Sequence, residues 1–159
     1  MTMKSKSPVS SCGNARLKVS VVSFAYSMGL PMDADGGSWD GFVFDCRSLP
    51  DPYFEDGLSE YSGLDQPVID FFNRHKEQVG RFLDAAESLV CQSIEAGLEA
   101  AEDNLQVAFG CHGGHHRSVY CAERLAERLA GIDGVEVTVT HTARQYWVKS
   151  ISISDWSQK

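Results

Sequence analysis

The chain of 159 residues lacks most of the features that would place it in a special class. No run of about 18 apolar residues occurs, which excludes a membrane-spanning helix. There is no CxxC pair, and the five cysteines (Cys12, Cys46, Cys91, Cys111 and Cys121) are odd in number and widely spaced. That excludes the disulfide framework of a small secreted protein. The first residues, MTMKSKSPVSSCGNAR, are polar and offer no apolar stretch for a signal peptide, so a reducing cytoplasm is expected. Positive charge is scarce: 14 Lys and Arg stand against 22 Asp and Glu, a formal net charge of −8. A general nucleic-acid binder carries a basic face, so that class is disfavoured.

What remains is the composition of one globular domain, 43% hydrophobic, 10% aromatic and 23% charged. The length is enough to bury one sizeable core without a metal or disulfide staple. Cys46, Cys91 and Cys121 are then expected to be small buried hydrophobes. The acidity is concentrated, because positions 50–103 hold 13 acidic and three basic residues. Such a run reads as the solvated face of a helix and its leading loop.

Residues 1–16 read as a flexible tail, and 17–159 as one domain. The β-branched run from Leu17 to Phe24 predicts a strand, and Phe42–Asp45 a short one. Between them, Gly29 to Gly41 reads as a loop. A second loop, LPDPYFEDGLSEYSG, follows. Asp65 is a helix N-cap candidate with Pro67 in the first turn. From Val68 to Ile94 the apolar residues keep helical spacing, predicting one helix over 66 to about 101, or two joined near Gly80. Leu105–Gly110 reads as a strand, Val119 to Ala130 as a helix ending near Gly131, and Val135–His141 as a strand. Residues 146–156 read as an edge strand. The order β, β, long α, β, α, β predicts a single layered α/β domain with a mostly parallel sheet, one long helix and a phosphate-loop-to-helix motif.

The chemistry is concentrated between the third strand and the following helix, in Gly110, Cys111, His112, Gly113, Gly114, His115, His116, Arg117 and Ser118. Ligands of open α/β sheets bind at the carboxyl ends of strands. Glycines allow close backbone approach, and a helix N-terminus offers free N–H groups and a positive dipole end. Arg117 and two histidines at that end oppose the dipole, each costing about 0.3–1 kcal/mol when charged. Their presence suits a phosphate or carboxylate gripped by the loop amides and the Arg117 fork. The plainer reading is a glycine-rich turn with exposed basic residues.

Two enzymatic readings compete for the loop. Cys111, five residues, Arg117 and Ser118 match the signature loop of cysteine-dependent phosphatases, with a thiolate nucleophile and a gripping arginine. The general acid would be one of Asp33, Asp35, Asp45 and Asp51. Cys111, His112, His115 and His116 are also zinc-type ligands, but neighbours in a tight loop rarely point at one ion, so no metal and no cofactor are expected.

At this loop the sequence resembles the C-terminal domain of the RapZ family, the bacterial RNase adapter and nucleotide-binding proteins. The family's GCTGGxHRSVYxAExL is GCHGGHHRSVYCAERL here, from Gly110 to Leu125. Phe24 with Gly29 to Asp35 resembles FGFKxGxPxDAD, Phe44 to Tyr53 resembles FDVRFLPNPY, Ser62 to Val68 resembles TGLDxPV, and Arg74-His75 fits DRH. His141 falls near the family's closing RHR. The resemblance spans roughly residues 17–145 in collinear order.

It implies a sensor or adapter domain for a phosphorylated small molecule, resembling glucosamine-6-phosphate or a nucleotide, and more a binding domain than an enzyme. The family's kinase-like P-loop domain has no counterpart, since no GxxxxGK[ST] occurs. A domain standing alone would work as a homo-oligomer or with a separate kinase-like partner. Some members have RNA partners, which makes an RNA-binding adapter a further alternative. However, family basic positions have become Ser27, Met28, His115, Thr140 and Thr142 here, and the acidic balance argues against RNA. The resemblance also brings Asp45 and Arg47 into the ligand site, where an internal ion pair is the plainer reading. Asp33 and Asp35 would meet a sugar hydroxyl or cap a turn. His75 falls on the apolar stripe and reads as a core histidine, while His141 is balanced between structure and function. Tyr26, Trp39 and Tyr120 would wall a pocket or join the core. Trp147 and Trp156 would be interface or core.

Overall fold

Among the described residues, four parallel strands form one sheet in the spatial order Phe42–Asp45, Asn104–Cys111, Leu17–Ala25, Val135–His141, with three α-helices. The computed structural model describes residues 16–32, 36–37 and 39–147. The N-terminal tail, Asp33, Asp35, Trp156 and nearly all of the edge strand expected over 146–156 lie outside those residues. The strands are β1 (Leu17–Ala25), β2 (Phe42–Asp45), β3 (Asn104–Cys111) and β4 (Val135–His141). The helices are α1 (Gln66–Arg74), α2 (Lys76–Glu99) and α3 (Arg117–Leu129). This is the layered α/β domain with a parallel sheet that the sequence predicts.

The pleat sorts the strand residues by face. Leu17, Val19 and Val21 of β1 and Val107, Phe109 and Cys111 of β3 are buried in the same core as Val68, Phe72, Leu83, Val90 and Leu125 from the three helices. Val21 pairs with Val107 and Val139 in register, so β1 is the central strand between β3 and β4. Phe109 lies at the middle of an aromatic group, with ring centroids 5.3 Å from Phe44 and 6.3 Å from Phe82.

The long helix breaks, but five residues before Gly80. His75, with φ −107° and ψ 24°, stands between α1 and α2 and donates its N–H to the Phe72 carbonyl three residues back. Arg74 beside it is ion-paired to Glu55, and the His75 ring lies 4.6 Å from Phe71. His75 is therefore exposed, which corrects its reading as a core histidine. Gly80 sits in open space, so its cost is only the helix-propensity deficit of about 1 kcal/mol. Asp65 takes the N-cap position without a capping bond. Its carboxylate accepts instead from the N–H and hydroxyl of Ser62. Cys46 and Cys121 are buried as expected, whereas Cys91 is only half-buried.

All four strand ends point to one edge, where the chain continues into Tyr26–Met28, Cys46–Arg47, the 112–116 loop and Thr142–Trp147. No described helix is long and apolar enough to cross a membrane. Phe109 is the test of the core: Phe109→Ala should lower unfolding free energy by about 3–5 kcal/mol in a urea melt followed by circular dichroism.

Candidate functional site

The 112–116 loop is pinned from outside through its carbonyls. The Ser27 N–H donates to the His112 carbonyl at 3.2 Å and the Gly63 N–H to His115 at 2.8 Å, while the His116 carbonyl accepts the first helical bond of α3, from the Tyr120 N–H at 2.9 Å. The Trp147 indole N–H donates to the Gly114 carbonyl at 3.0 Å. The amides behave in the opposite way: among the described residues, none from Gly113 to Ser118 donates to a protein acceptor. Free amides at a helix N-terminus are the backbone arrangement on which anions generally bind.

Two glycines permit this path. Gly114 has φ +61°, and a Cβ there would come 2.9 Å from the Ala143 methyl and 3.0 Å from the Ala25 nitrogen. Gly63 packs so tightly on the start of α3 that a Cβ would meet the His116 carbonyl and come 2.7 Å from the Tyr120 nitrogen.

Arg117, the first residue of α3, does not stretch its fork freely toward solvent. Its side chain is only 9% exposed, and Nη2 is ion-paired with Asp51 at 2.7 Å. Nη1 donates to the carbonyls of Arg47 at 2.8 Å and Leu49 at 3.3 Å. Nε is buried without a partner among the described residues. Ser118 is fully buried, and its hydroxyl lies 3.1 Å from Cys111 Sγ.

A cavity of about 640 Å³ opens above this loop. One wall is Cys111, His112, Gly113, His115, His116 and Arg117; the other is Asp51, Tyr53, Phe54 and Ser59. Six of the residues singled out from the sequence thus share one surface. Gly114 and Ser118 lie behind it. Asp45 and Arg47 do not line it. They form an exposed bidentate pair, with Arg47 Nη2 2.7 Å from Asp45, and the Arg47 guanidinium lies 3.9 Å from the Tyr26 ring centroid. The hydrogen bond from Arg47 holds the Asp45 carboxyl below the usual carboxylate range. Arg47 reaches the site only through its backbone carbonyl.

The second wall was only partly foreseen. Asp51 stood among four candidate acids. Tyr53, Phe54 and Ser59 carried no role, although adjacent aromatics between Pro52 and Gly57, off any periodic stripe, were the available signal. Phe54 is 83% exposed. His141 takes a structural place: Nδ1 is bonded to Ser23 Oγ at 2.7 Å and Nε2 to Glu123 at 2.9 Å, in a nearly enclosed ring position. Tyr120 is buried against Phe72, and the Trp39 indole donates to the Phe42 carbonyl. Among the described residues no three His, Cys, Asp or Glu side chains converge as a metal site.

Burial pushes the His115 ring down to about 4, helped by the neighbouring His116 and opposed by Asp65. Burial lowers His116 as well, against its bond to the Leu58 carbonyl. Both rings are therefore neutral at pH 7. An unfolded chain binds a proton at His115 below its ordinary 6.5, whereas the folded chain refuses it until about 4. Stability conferred by the neutral ring is thus complete above pH 6.5 and declines as the pH falls toward 4. His115→Gln should flatten that part of the stability–pH curve, measured by urea melts between pH 7 and 4.

The family model described as the RapZ C-terminal domain matches residues 17–145. A nucleotide-binding protein of Alkalilimnicola ehrlichii is 42% identical over 123 residues, covering 77% of this chain and 40% of the relative. One from Mannheimia succiniciproducens is 40% identical over 129 residues, covering 79% and 40%. One from Finegoldia magna is 36% identical over 137 residues, covering 84% and 44%. The chain spans about two fifths of the length of these relatives. With its carbonyl-anchored glycine loop inside the matched stretch, the chain belongs to the RapZ C-terminal domain family.

Proposed function

We propose that the loop from Cys111 to Ser118 holds the phosphate group of a small phosphorylated ligand, a nucleotide or a sugar phosphate, and that the chain acts as a sensing or adapter domain. The observation that carries this reading is the set of amides from Gly113 to Ser118 with no acceptor among the described residues, above carbonyls that are anchored. The α3 dipole adds its positive end. Arg117 adds a buried cation whose Nε lacks a partner. The cavity is far larger than a phosphate and falls in the range of small-molecule sites, leaving Tyr53 and Phe54 to cover the rest of the ligand. The name shared by the relatives favours a nucleotide. Asp45 and Arg47 serve the site indirectly, by setting the backbone that Arg117 grips. The net charge of −8 favours a small anion over a polyanion such as RNA.

Calorimetry with inorganic phosphate, ATP and glucosamine-6-phosphate tests this reading. All three should bind, and Arg117→Ala should weaken each by about 10- to 100-fold, the loss expected for a charge-assisted hydrogen bond. Equal affinity for both proteins, or no binding of any of the three by the wild type, would overturn it.

A further inference from the structure

We propose that the same site hydrolyses phosphate monoesters, with Cys111 as the catalytic nucleophile. This rests on the reading of the loop as a phosphate site. Cys46 and Cys121 are fully buried in the core and line no part of the cavity, whereas Cys111 ends β3 at the cavity wall. Its Sγ lies 3.1 Å from the Ser118 hydroxyl, which can donate a hydrogen bond to a thiolate. Arg117, six residues on, lines the same cavity with its side chain nine-tenths buried and Nε unpartnered. Asp51 faces the loop from the other wall, with its carboxylate 2.7 Å from Arg117. Nucleophile, anion grip and carboxyl group therefore share one chamber. A phosphate on the free amides of this loop would sit in the cavity that Cys111 lines.

In the first step a sulfur lone pair forms an S–P bond while the ester P–O bond breaks. The electron pair goes to the leaving oxygen, which takes a proton from the Asp51 carboxyl, protonated once the bound phosphate has replaced it on Arg117 Nη2. In the second step water attacks phosphorus and gives a proton to Asp51, and the S–P bond breaks with its electron pair returning to sulfur. Ester and water become alcohol and inorganic phosphate, with no change of oxidation state.

Phosphate release from p-nitrophenyl phosphate and glucosamine-6-phosphate, between pH 5 and 8, tests the proposal beside calorimetry with inorganic phosphate. Wild type should turn over both. Cys111→Ser should lose turnover by about 1,000-fold or more. Asp51→Asn should slow the sugar phosphate more than the nitrophenyl ester, whose leaving group departs without a proton. Acid quenching and peptide mass spectrometry of the wild type give a readout that does not depend on how a variant folds. Phosphate on the Cys111 peptide supports the step, and phosphate on another residue overturns it. Phosphate binding without turnover, or unchanged turnover in Cys111→Ser, overturns catalysis and leaves the binding reading standing. Failure of the wild type to bind phosphate overturns both.

Discussion

The Arg117 guanidinium lies nine-tenths buried at the first turn of α3, where little water remains to solvate its charge. A buried cation is tolerable only when it is paired and hydrogen-bonded. Asp51 and the carbonyls of Arg47 and Leu49 meet that demand. Meeting it ties the start of α3 to a segment more than sixty positions earlier in the chain. That segment leads directly into Pro52, Tyr53 and Phe54, so the second wall of the cavity stands where it does because Arg117 draws it there. The Gly63 and Leu58 contacts to His115 and His116 fasten the far end of the same stretch.

The positive charge that the sequence places at the start of α3 is reduced in the folded chain. Three cations at a helix N-terminus would be costly, which is what made the loop conspicuous. Burial removes two of them by keeping His115 and His116 neutral. The third is matched by Asp51. The positive potential left at the loop comes mainly from backbone N–H groups and the α3 dipole. Such a site owes its attraction for anions to geometry that does not titrate near neutral pH.

Strands and helices were legible because their signals are local: β-branched runs for β1 and β4, and apolar residues three and four apart for α1 to α3. The glycine loop was legible because a strand-to-helix turn at a sheet's carboxyl edge has a fixed geometry. The break at His75 was not, since its neighbour Arg74 is held by Glu55 from a distant loop. The second cavity wall was hidden for the same reason, its placement depending on Arg117 and Gly63 contacts that no periodicity reports. Asp45 and Arg47 looked like ligand groups, yet two positions apart at a strand end they satisfy each other.

The sheet order has a kinetic side. Of the four strands β1 is made before the others, but it belongs inside the sheet, with Val21 flanked by Val107 and Val139. Neither neighbour exists until α1 and α2 have been made. Local α-helices can form early, whereas the parallel pairings must close long loops before they repay the entropy. The first strand therefore waits with its apolar face uncovered until β3 arrives, the interval in which a chaperone has most to protect. Cys111, at the end of β3, reaches its place when this pairing closes, so the candidate site depends on a non-local contact rather than a local one.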